Sequence, residues 1–84
     1  MVHLRPTAIN VTPMENFNLL IQFDNGERKI YDVQPHICGN WYGMLGDKDY
    51  FKTVQTDGYT VAWQEGQDLC PDDLYYLSTE VGND

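Results

Sequence analysis

Histidine and cysteine are the residue types that most readily ligate zinc, and the chain holds two of each. They are His3, His36, Cys38 and Cys70. A structural zinc site takes about four such ligands, commonly in close pairs, and only His36 and Cys38 lie close together in the sequence. We therefore expect no metal site, and we expect His36 to be a loop histidine that makes a local hydrogen bond.

The cysteines also do not form the disulfide framework that is typical of small secreted domains. We expect both thiols to be reduced and partly buried, as free cysteines usually are. The alternative concerns Cys70, which stands at the start of a predicted helix. A helix N-terminus favours the thiolate form, which would give this cysteine some reactivity.

Carboxylate pairs are the remaining candidates for catalysis, which needs two acids held on opposite sides of a substrate. Asp72 and Asp73 are adjacent, so their side chains diverge on a helix, and charging the helix start explains both. Together with Asp68 they lack the spacing and the closing glutamate of a calcium loop. No Ser/His/Asp set and no phosphate-binding glycine loop stands out. We expect no catalytic activity and no cofactor.

The aromatic residues form a more suggestive pattern, which favours binding over catalysis. Trp41 and Tyr42 stand in an irregular segment, while Tyr75 and Tyr76 stand on the predicted C-terminal helix. Adjacent helical residues face different ways, so Tyr75 and Tyr76 cannot both be fully buried. Because exposed aromatic residues are enriched at protein interfaces, these four are the candidate interaction residues, with Tyr76 the strongest. The alternative is that Trp41 fills the small core.

The net charge of the chain limits the classes of partner that it can bind. The net charge is −8, from 13 acidic and 5 basic residues. Such a surface opposes direct contact with nucleic acid or anionic membranes, whereas it attracts a basic protein. The alternative is that the charge serves solubility alone. No apolar run approaches the roughly 20 residues that span a bilayer, and the N-terminus lacks a hydrophobic signal core, so we expect a cytoplasmic protein.

The candidate residues must be positioned by a C-terminal strand, bend and helix. Residues 60–63 are β-branched, aromatic or small and predict a strand, and residues 64–67 predict a polar bend. Pro71 is typical of the first position of a helix. Apolar residues at helical spacing follow and predict a stripe that packs on the sheet, with Trp63 as its partner. The stripe consists of Leu74, Leu77 and Val81.

The N-terminal half predicts a strand over residues 8–12, closed by Pro13, and a second strand over residues 18–23. Alternation places the apolar side chains of the second strand on one face. They are Leu19, Ile21 and Phe23. Residues 34–46 are irregular yet apolar, so we expect them to pack against the sheet and to contain a helical turn. Residues 47–52 predict a further helical turn, with Asp47 as its N-cap.

Two hairpins connect the predicted strands. Asn25-Gly26 predicts a two-residue turn into a third strand over residues 28–33. That turn would pair Ile21 with Ile30 and Leu20 with Tyr31. A three-residue turn with a bulge would instead shift the register by one residue and change the facing side chains. Asp57-Gly58 predicts a second hairpin turn, which would pair Val54 with Val61.

Together these elements predict a single α+β domain over residues 1–84. Its small, mostly antiparallel β-sheet is built from two hairpins, which an irregular, partly helical middle segment connects. A short C-terminal helix packs on the sheet. We expect residues 1–6 and 80–84 to be frayed.

The order and spacing of these pieces resemble DUF2442, a family of small bacterial domains of unknown function. The C-terminal motifs are Val61-x-Trp63, Gly66-x-Asp68-Leu69 and Pro71-Asp72-x-Leu74-Tyr75. The N-terminal motifs are Val11, Leu19-x-Ile21-x-Phe23, Asn25-Gly26-Glu27 and Tyr31-Asp32-Val33. The resemblance covers nearly the whole chain. One departure is Gln64, since relatives more often have a proline after the tryptophan.

The resemblance implies more about fold than about function, because the family has no assigned activity. Similar domains are encoded beside other small proteins, which suggests an interaction module with an antitoxin-like role. An acidic chain of 84 residues suits neutralising a small basic protein. Some relatives look fused to a helix-turn-helix domain, so the alternative is an accessory module in transcription that acts through a DNA-binding partner. A homodimer formed through an exposed sheet edge is a further expectation.

Overall fold

The computed structural model describes residues 6–81, which contain six strands. They are β1 (Ala8–Met14), β2 (Asn18–Phe23), β3 (Arg28–Asp32), β4 (Gln55–Thr56), β5 (Val61–Ala62) and β6 (Thr79–Glu80). One antiparallel sheet has the order β1-β2-β3-β6, and a smaller antiparallel sheet pairs β4 with β5. The predicted α+β fold with a mostly antiparallel sheet is confirmed.

Short helices fill the connections. The α-helices are α1 (Lys48–Phe51) and α2 (Pro71–Tyr76), and the 3-10 helices are Glu15–Phe17, Gln34–His36 and Tyr42–Gly46. The irregular middle segment therefore contains helical turns as predicted, and its Leu45 is buried in the core. Asp47 is the N-cap of α1, also as predicted, since its carboxylate accepts from the Asp49 amide at 2.9 Å. No helix in the described part of the chain is long and apolar enough to cross a membrane.

The core lies on one face of the larger sheet. As predicted, the buried side chains of β2 are Leu19, Ile21 and Phe23. Tyr31 and Val33 join them from β3 and the residue that follows it. The remaining large buried residues come from the second half of the chain. They are Leu45, Phe51, Val54, Val61, Trp63, Leu69 and Leu74.

The first hairpin has a three-residue loop, so the predicted two-residue turn is wrong. The amide of Phe23 donates to the carbonyl of Glu27 at 2.8 Å, and the amide of Gly26 donates to the carbonyl of Phe23 at 3.0 Å. A tight turn followed by glycine at positive φ gives this loop, and Gly26 has φ +92°. In place of the predicted pairs Ile21–Ile30 and Leu20–Tyr31, the strands pair Leu20 with Ile30 and Leu19 with Tyr31. This register turns the buried side chains of both strands to the same face.

Two other predicted strand features are also wrong. β1 continues through Pro13, which pairs with Leu19, because an edge strand does not need an amide hydrogen at every position. In the second hairpin, Val54 does not pair with Val61. The pairs are instead Gln55–Ala62 and Thr56–Val61. The turn moves by one residue because the Asp57 carboxylate accepts hydrogen bonds from the amides of Tyr59 and Thr60, at 2.9 and 2.8 Å.

The C-terminal helix starts at Pro71 as predicted, but its apolar stripe stops after Leu74. Leu74 is buried, whereas Leu77 caps the helix end and is exposed. The chain leaves the helix there because it turns back into β6, which pairs with β3. Glu80 therefore lies in a strand, although we expected fraying from this residue onward. The other expected frayed residues, apart from Pro6 and Val81, lie outside the described range.

A buried amide side chain connects the irregular parts of the fold. Gln67 is fully buried, and its Oε1 accepts a hydrogen bond from the Tyr50 hydroxyl of α1 at 2.7 Å. Its Nε2 donates to the Trp41 carbonyl at 2.9 Å. The Gln67 carbonyl accepts from the Trp63 amide at 2.8 Å, which closes the bend between these residues. One residue thus joins the bend after β5 to α1 and to the middle segment.

Gln67→Leu should destabilise the fold by roughly 1–3 kcal/mol, because the Tyr50 hydroxyl and the Trp41 carbonyl each lose a part-buried hydrogen bond. Gln64→Leu changes the same residue type at an exposed position of the same bend, so we expect its effect to stay within about 0.5 kcal/mol. Urea unfolding followed by tryptophan fluorescence measures both. Equal stability of the two variants would contradict this role for the buried amide.

Gly26→Ala should cost about 1–2 kcal/mol, because an L side chain is strained at this positive φ. The space around the added Cβ is open, so the lost stability would come from the backbone conformation of residue 26 and not from a clash with neighbouring residues. The matched control is Gly43→Ala in the 3-10 helix Tyr42–Gly46, where the added Cβ would make an ordinary contact at 4.0 Å. Thermal unfolding should show a lowered Tm for Gly26→Ala alone. An equal drop in Tm for Gly26→Ala and Gly43→Ala would contradict the positive φ in the three-residue loop as the cause.

Candidate protein-interaction surface

Tyr75 is held firmly on the larger sheet. Its ring packs edge-on against Phe23 with centroids 5.1 Å apart, and its hydroxyl donates to Glu27 Oε1. The Lys29 ammonium lies 3.9 Å from the ring centroid and donates to the Tyr75 carbonyl at 3.0 Å. These contacts attach α2 to β2, to β3 and to the loop between them. Tyr75 is half-buried and serves as the anchor of this surface.

Tyr76 points away from the core, as the sequence predicted for one of the two tyrosines. Its side chain is 67% exposed, and its ring lies edge-on against Tyr75 with centroids 5.0 Å apart. Leu77, which follows it, is 66% exposed. We missed Leu77 as a surface residue because its spacing from Leu74 fits a buried stripe. No signal in the sequence marks it, because the helix ends where the chain reverses into β6, and that strand depends on its pairing with β3.

Two carboxylates stand beside these apolar side chains. Asp72 and Asp73 lie in the first turn of α2, where Asp72 is exposed and Asp73 half-buried. Asp72 and Tyr76 are four residues apart in α2 and so lie on the same side of the helix, and the amide of Leu77 donates to the Asp73 carbonyl at 2.9 Å. We call these four residues the α2 patch. It combines a large exposed apolar area with negative charge, which suits contact with a basic and partly apolar surface.

The second predicted aromatic pair lies at another place in the fold. Trp41 is 50% exposed and packs edge-on against Tyr42 with centroids 5.2 Å apart, so it does not fill the core. The Tyr42 hydroxyl donates to the Asp68 carbonyl at 3.0 Å, and the Trp41 ring approaches Gly66. This pair therefore rests on the bend after β5, whereas the tyrosines of α2 rest on the larger sheet. The four candidate residues form two separate pairs.

The other residues that could take part in catalysis or metal binding are placed as follows. His36 makes the predicted local hydrogen bond, with its Nε2 2.6 Å from the Tyr31 hydroxyl, and the two rings stack. Burial, followed by the charges of Asp73 and Asp32, raises the pKa of Tyr31, so this hydroxyl is neutral at physiological pH. Within residues 6–81, no three His, Cys, Asp or Glu side chains come together as metal ligands.

Both cysteines are free and exposed, so the expectation that they would be partly buried is wrong. Cys38 follows the 3-10 helix Gln34–His36, and Cys70 precedes α2 as its N-cap. The apolar neighbourhood of Cys38 in the sequence suggested burial. In the fold, Ile37 packs against the core and the thiol beside it faces outward.

Comparison with known proteins places this chain in a family. Residues 8–80 match the sequence model of DUF2442, which is described as a protein of unknown function. The match covers nearly the whole chain, so the chain belongs to this family. Curated proteins and solved structures give no match.

Tyr75→Phe should raise the pKa of Glu27 toward its usual value. The hydrogen bond from Tyr75 is the main cause that lowers this pKa, followed by the one from Asn25. Carboxyl ¹³C shifts followed through a pH titration measure the change. Tyr76→Phe is the control, because Tyr76 gives no hydrogen bond to Glu27, and its titration should match that of the wild type.

The same contact links pH to stability. A carboxyl whose pKa falls on folding stabilises the folded state above its unfolded pKa, and this contribution disappears as the pH drops through the folded pKa. The wild type should therefore lose more stability on acidification than Tyr75→Phe. Equal Glu27 titrations in the two proteins would contradict the attachment of α2 through this hydroxyl.

Proposed function

We propose that this member of the DUF2442 family is a non-enzymatic, cytoplasmic module that binds a basic protein through the α2 patch. The observation that carries the proposal is the exposure of Tyr76 and Leu77 beside Asp72 and Asp73. Tyrosine is enriched among residues that dominate binding energy, because it supplies contact area and a hydroxyl at small entropic cost. Unless a partner covers them, the exposed side chains of Tyr76 and Leu77 bring the fold no gain in stability.

The patch is also fixed in place before a partner arrives. Tyr75 packs against Phe23 and bonds to Glu27, while Lys29 holds the end of α2 through a carbonyl. A surface that is ordered in advance loses less conformational entropy on binding. The short helix α2 thus gains its rigidity from the sheet, which supports its use as a binding element.

Charge supports the choice of a basic partner. The chain carries 13 acidic and 5 basic residues, and an acidic surface speeds encounter with a basic protein in a salt-dependent way. We further propose an antitoxin-like role, in which the chain neutralises a small basic protein. Its charge supports that role, and rising salt should weaken the complex.

Tyr76→Ala should lower recovery of the partner about tenfold or more, because it truncates the centre of the patch. The measurement is an affinity pull-down from cells of the source organism, with any neighbouring gene co-expressed, followed by mass spectrometry. Tyr59→Ala is the matched control, since Tyr59 is similarly exposed (54%) but lies in the turn between β4 and β5. That variant should recover the partner as the wild type does.

Four outcomes decide between the candidates. A small basic protein that is recovered stoichiometrically and lost in Tyr76→Ala supports the proposal. Equal recovery by Tyr76→Ala and Tyr59→Ala would contradict the α2 patch as the site, and recovery of no basic protein would contradict the function. A DNA-binding protein in its place would favour the accessory role in transcription.

A further inference from the structure

We propose that a cleft between the β1–β2 turn and α1 is a second binding site, which takes small organic anions with an apolar body. The cleft has a volume of about 650 Å³, within the range of roughly 300–1,000 Å³ that small-molecule sites occupy. Its lining combines apolar, amide and cationic side chains. The central lining residues are Phe17, Gln34, Lys48, Phe51 and Lys52.

Two of the chain's 5 basic residues line this cleft, in a protein with 13 acidic ones. Lys48 and Lys52 are four residues apart, so they extend from the same side of α1. Glu15 is the acidic residue among those that line the cleft. The cleft is therefore a local reversal of the overall charge. An anion would find complementary charge there, although the surrounding surface repels it.

The apolar wall of the cleft is aromatic. The rings of Phe17 and Phe51 meet edge-to-face with centroids 5.3 Å apart, and both line the cleft. Phe51 is buried in the core, whereas Phe17 is half-buried. Pro13 and Met14 extend the apolar lining along the end of β1. A ring or a short aliphatic body fits this wall, and Gln34 adds an amide that can donate to a polar head group.

The backbone of the turn is strained at the cleft. Asn16 and Phe17 have φ of 60° and 59°, and a bulky residue seldom adopts positive φ. Two contacts hold Phe17 there, namely its ring packing on Phe51 and its carbonyl, which accepts from the Val33 amide at 2.9 Å. Backbone strain of this kind concentrates at binding sites, where surrounding structure maintains it. The strain places the Phe17 ring in the cleft wall.

This site is independent of the α2 patch. The cleft is built from the β1–β2 turn and α1, whereas the patch lies on α2 and is anchored to the β2–β3 hairpin. A ligand in the cleft and a protein on the patch share no residue. The failure of one proposal therefore leaves the other standing.

The test is a titration of the ¹⁵N-labelled protein with phenyl phosphate, benzoate and, as a neutral analogue, benzyl alcohol, followed by ¹H–¹⁵N NMR. We expect saturable shifts at the amides of Phe17 and Lys52 with at least one of the anions, and weaker binding of benzyl alcohol. Lys52→Gln should raise the Kd about fivefold or more, because it removes a charge-assisted contact.

Arg28→Gln is the matched control, since it removes one exposed positive charge from β3, outside the cleft. We expect its Kd to lie within about twofold of the wild-type value. If Lys52→Gln and Arg28→Gln weaken binding equally, the binding depends only on the overall charge of the protein, and the proposed site is wrong. The absence of saturable shifts with both anions, up to roughly 10 mM, would also overturn it.

Discussion

The hydrogen bonds of one buried side chain, Gln67, determine how the second half of the chain is arranged. The strands described in that half, β4, β5 and β6, are each two residues long and its helical turns are short, so it cannot be held by an extended sheet ladder. The Gln67 amide satisfies the Trp41 carbonyl and the Tyr50 hydroxyl, and the Tyr50 hydroxyl in turn accepts from the Glu65 amide at 2.8 Å. Buried polar groups that lose such partners are costly, so the network specifies one arrangement.

The same principle separates structural aromatic residues from those available for binding. Trp63 and Tyr75 have polar atoms that find protein partners, the carbonyl of Phe51 and the carboxylate of Glu27, and their rings are packed. Tyr76 has its ring against Tyr75 but remains mostly exposed. An 84-residue chain has a small core and can bury only part of its aromatic surface. Tyr76, which is more exposed than Tyr59 and stands beside the exposed Leu77, marks the proposed interface.

Features with local causes could be predicted from the sequence. The span of β2, the start of α2 at Pro71 and the cap by Asp47 each depend on residues within one turn or one strand. The hairpin register could not be predicted, because Asn25-Gly26 is compatible with loops of two or three residues. The Asn25 side chain decides between them, since its Oδ1 accepts from the Glu27 amide and its Nδ2 donates to the Glu27 carboxylate.

Features that depend on distant contacts were beyond sequence reasoning. β6 is two residues long and exists because it meets β3, so no pattern within the C-terminal segment indicates it. The cleft likewise joins Phe17 to Lys52, which lie far apart in the sequence, and only folding brings its walls together. In the candidate site, helix geometry allowed the exposure of Tyr76 to be predicted. The exposure of Leu77 could not be predicted, because it depends on β6.

The most direct test of the central claim, contact between Tyr76 and a basic protein, is site-specific photo-crosslinking in living cells. A benzoylphenylalanine at position 76 should give one dominant adduct with a small basic protein, and the same group at position 59 should not. Adducts that are identical at both positions, or none at position 76, would contradict the α2 patch as a protein-binding surface.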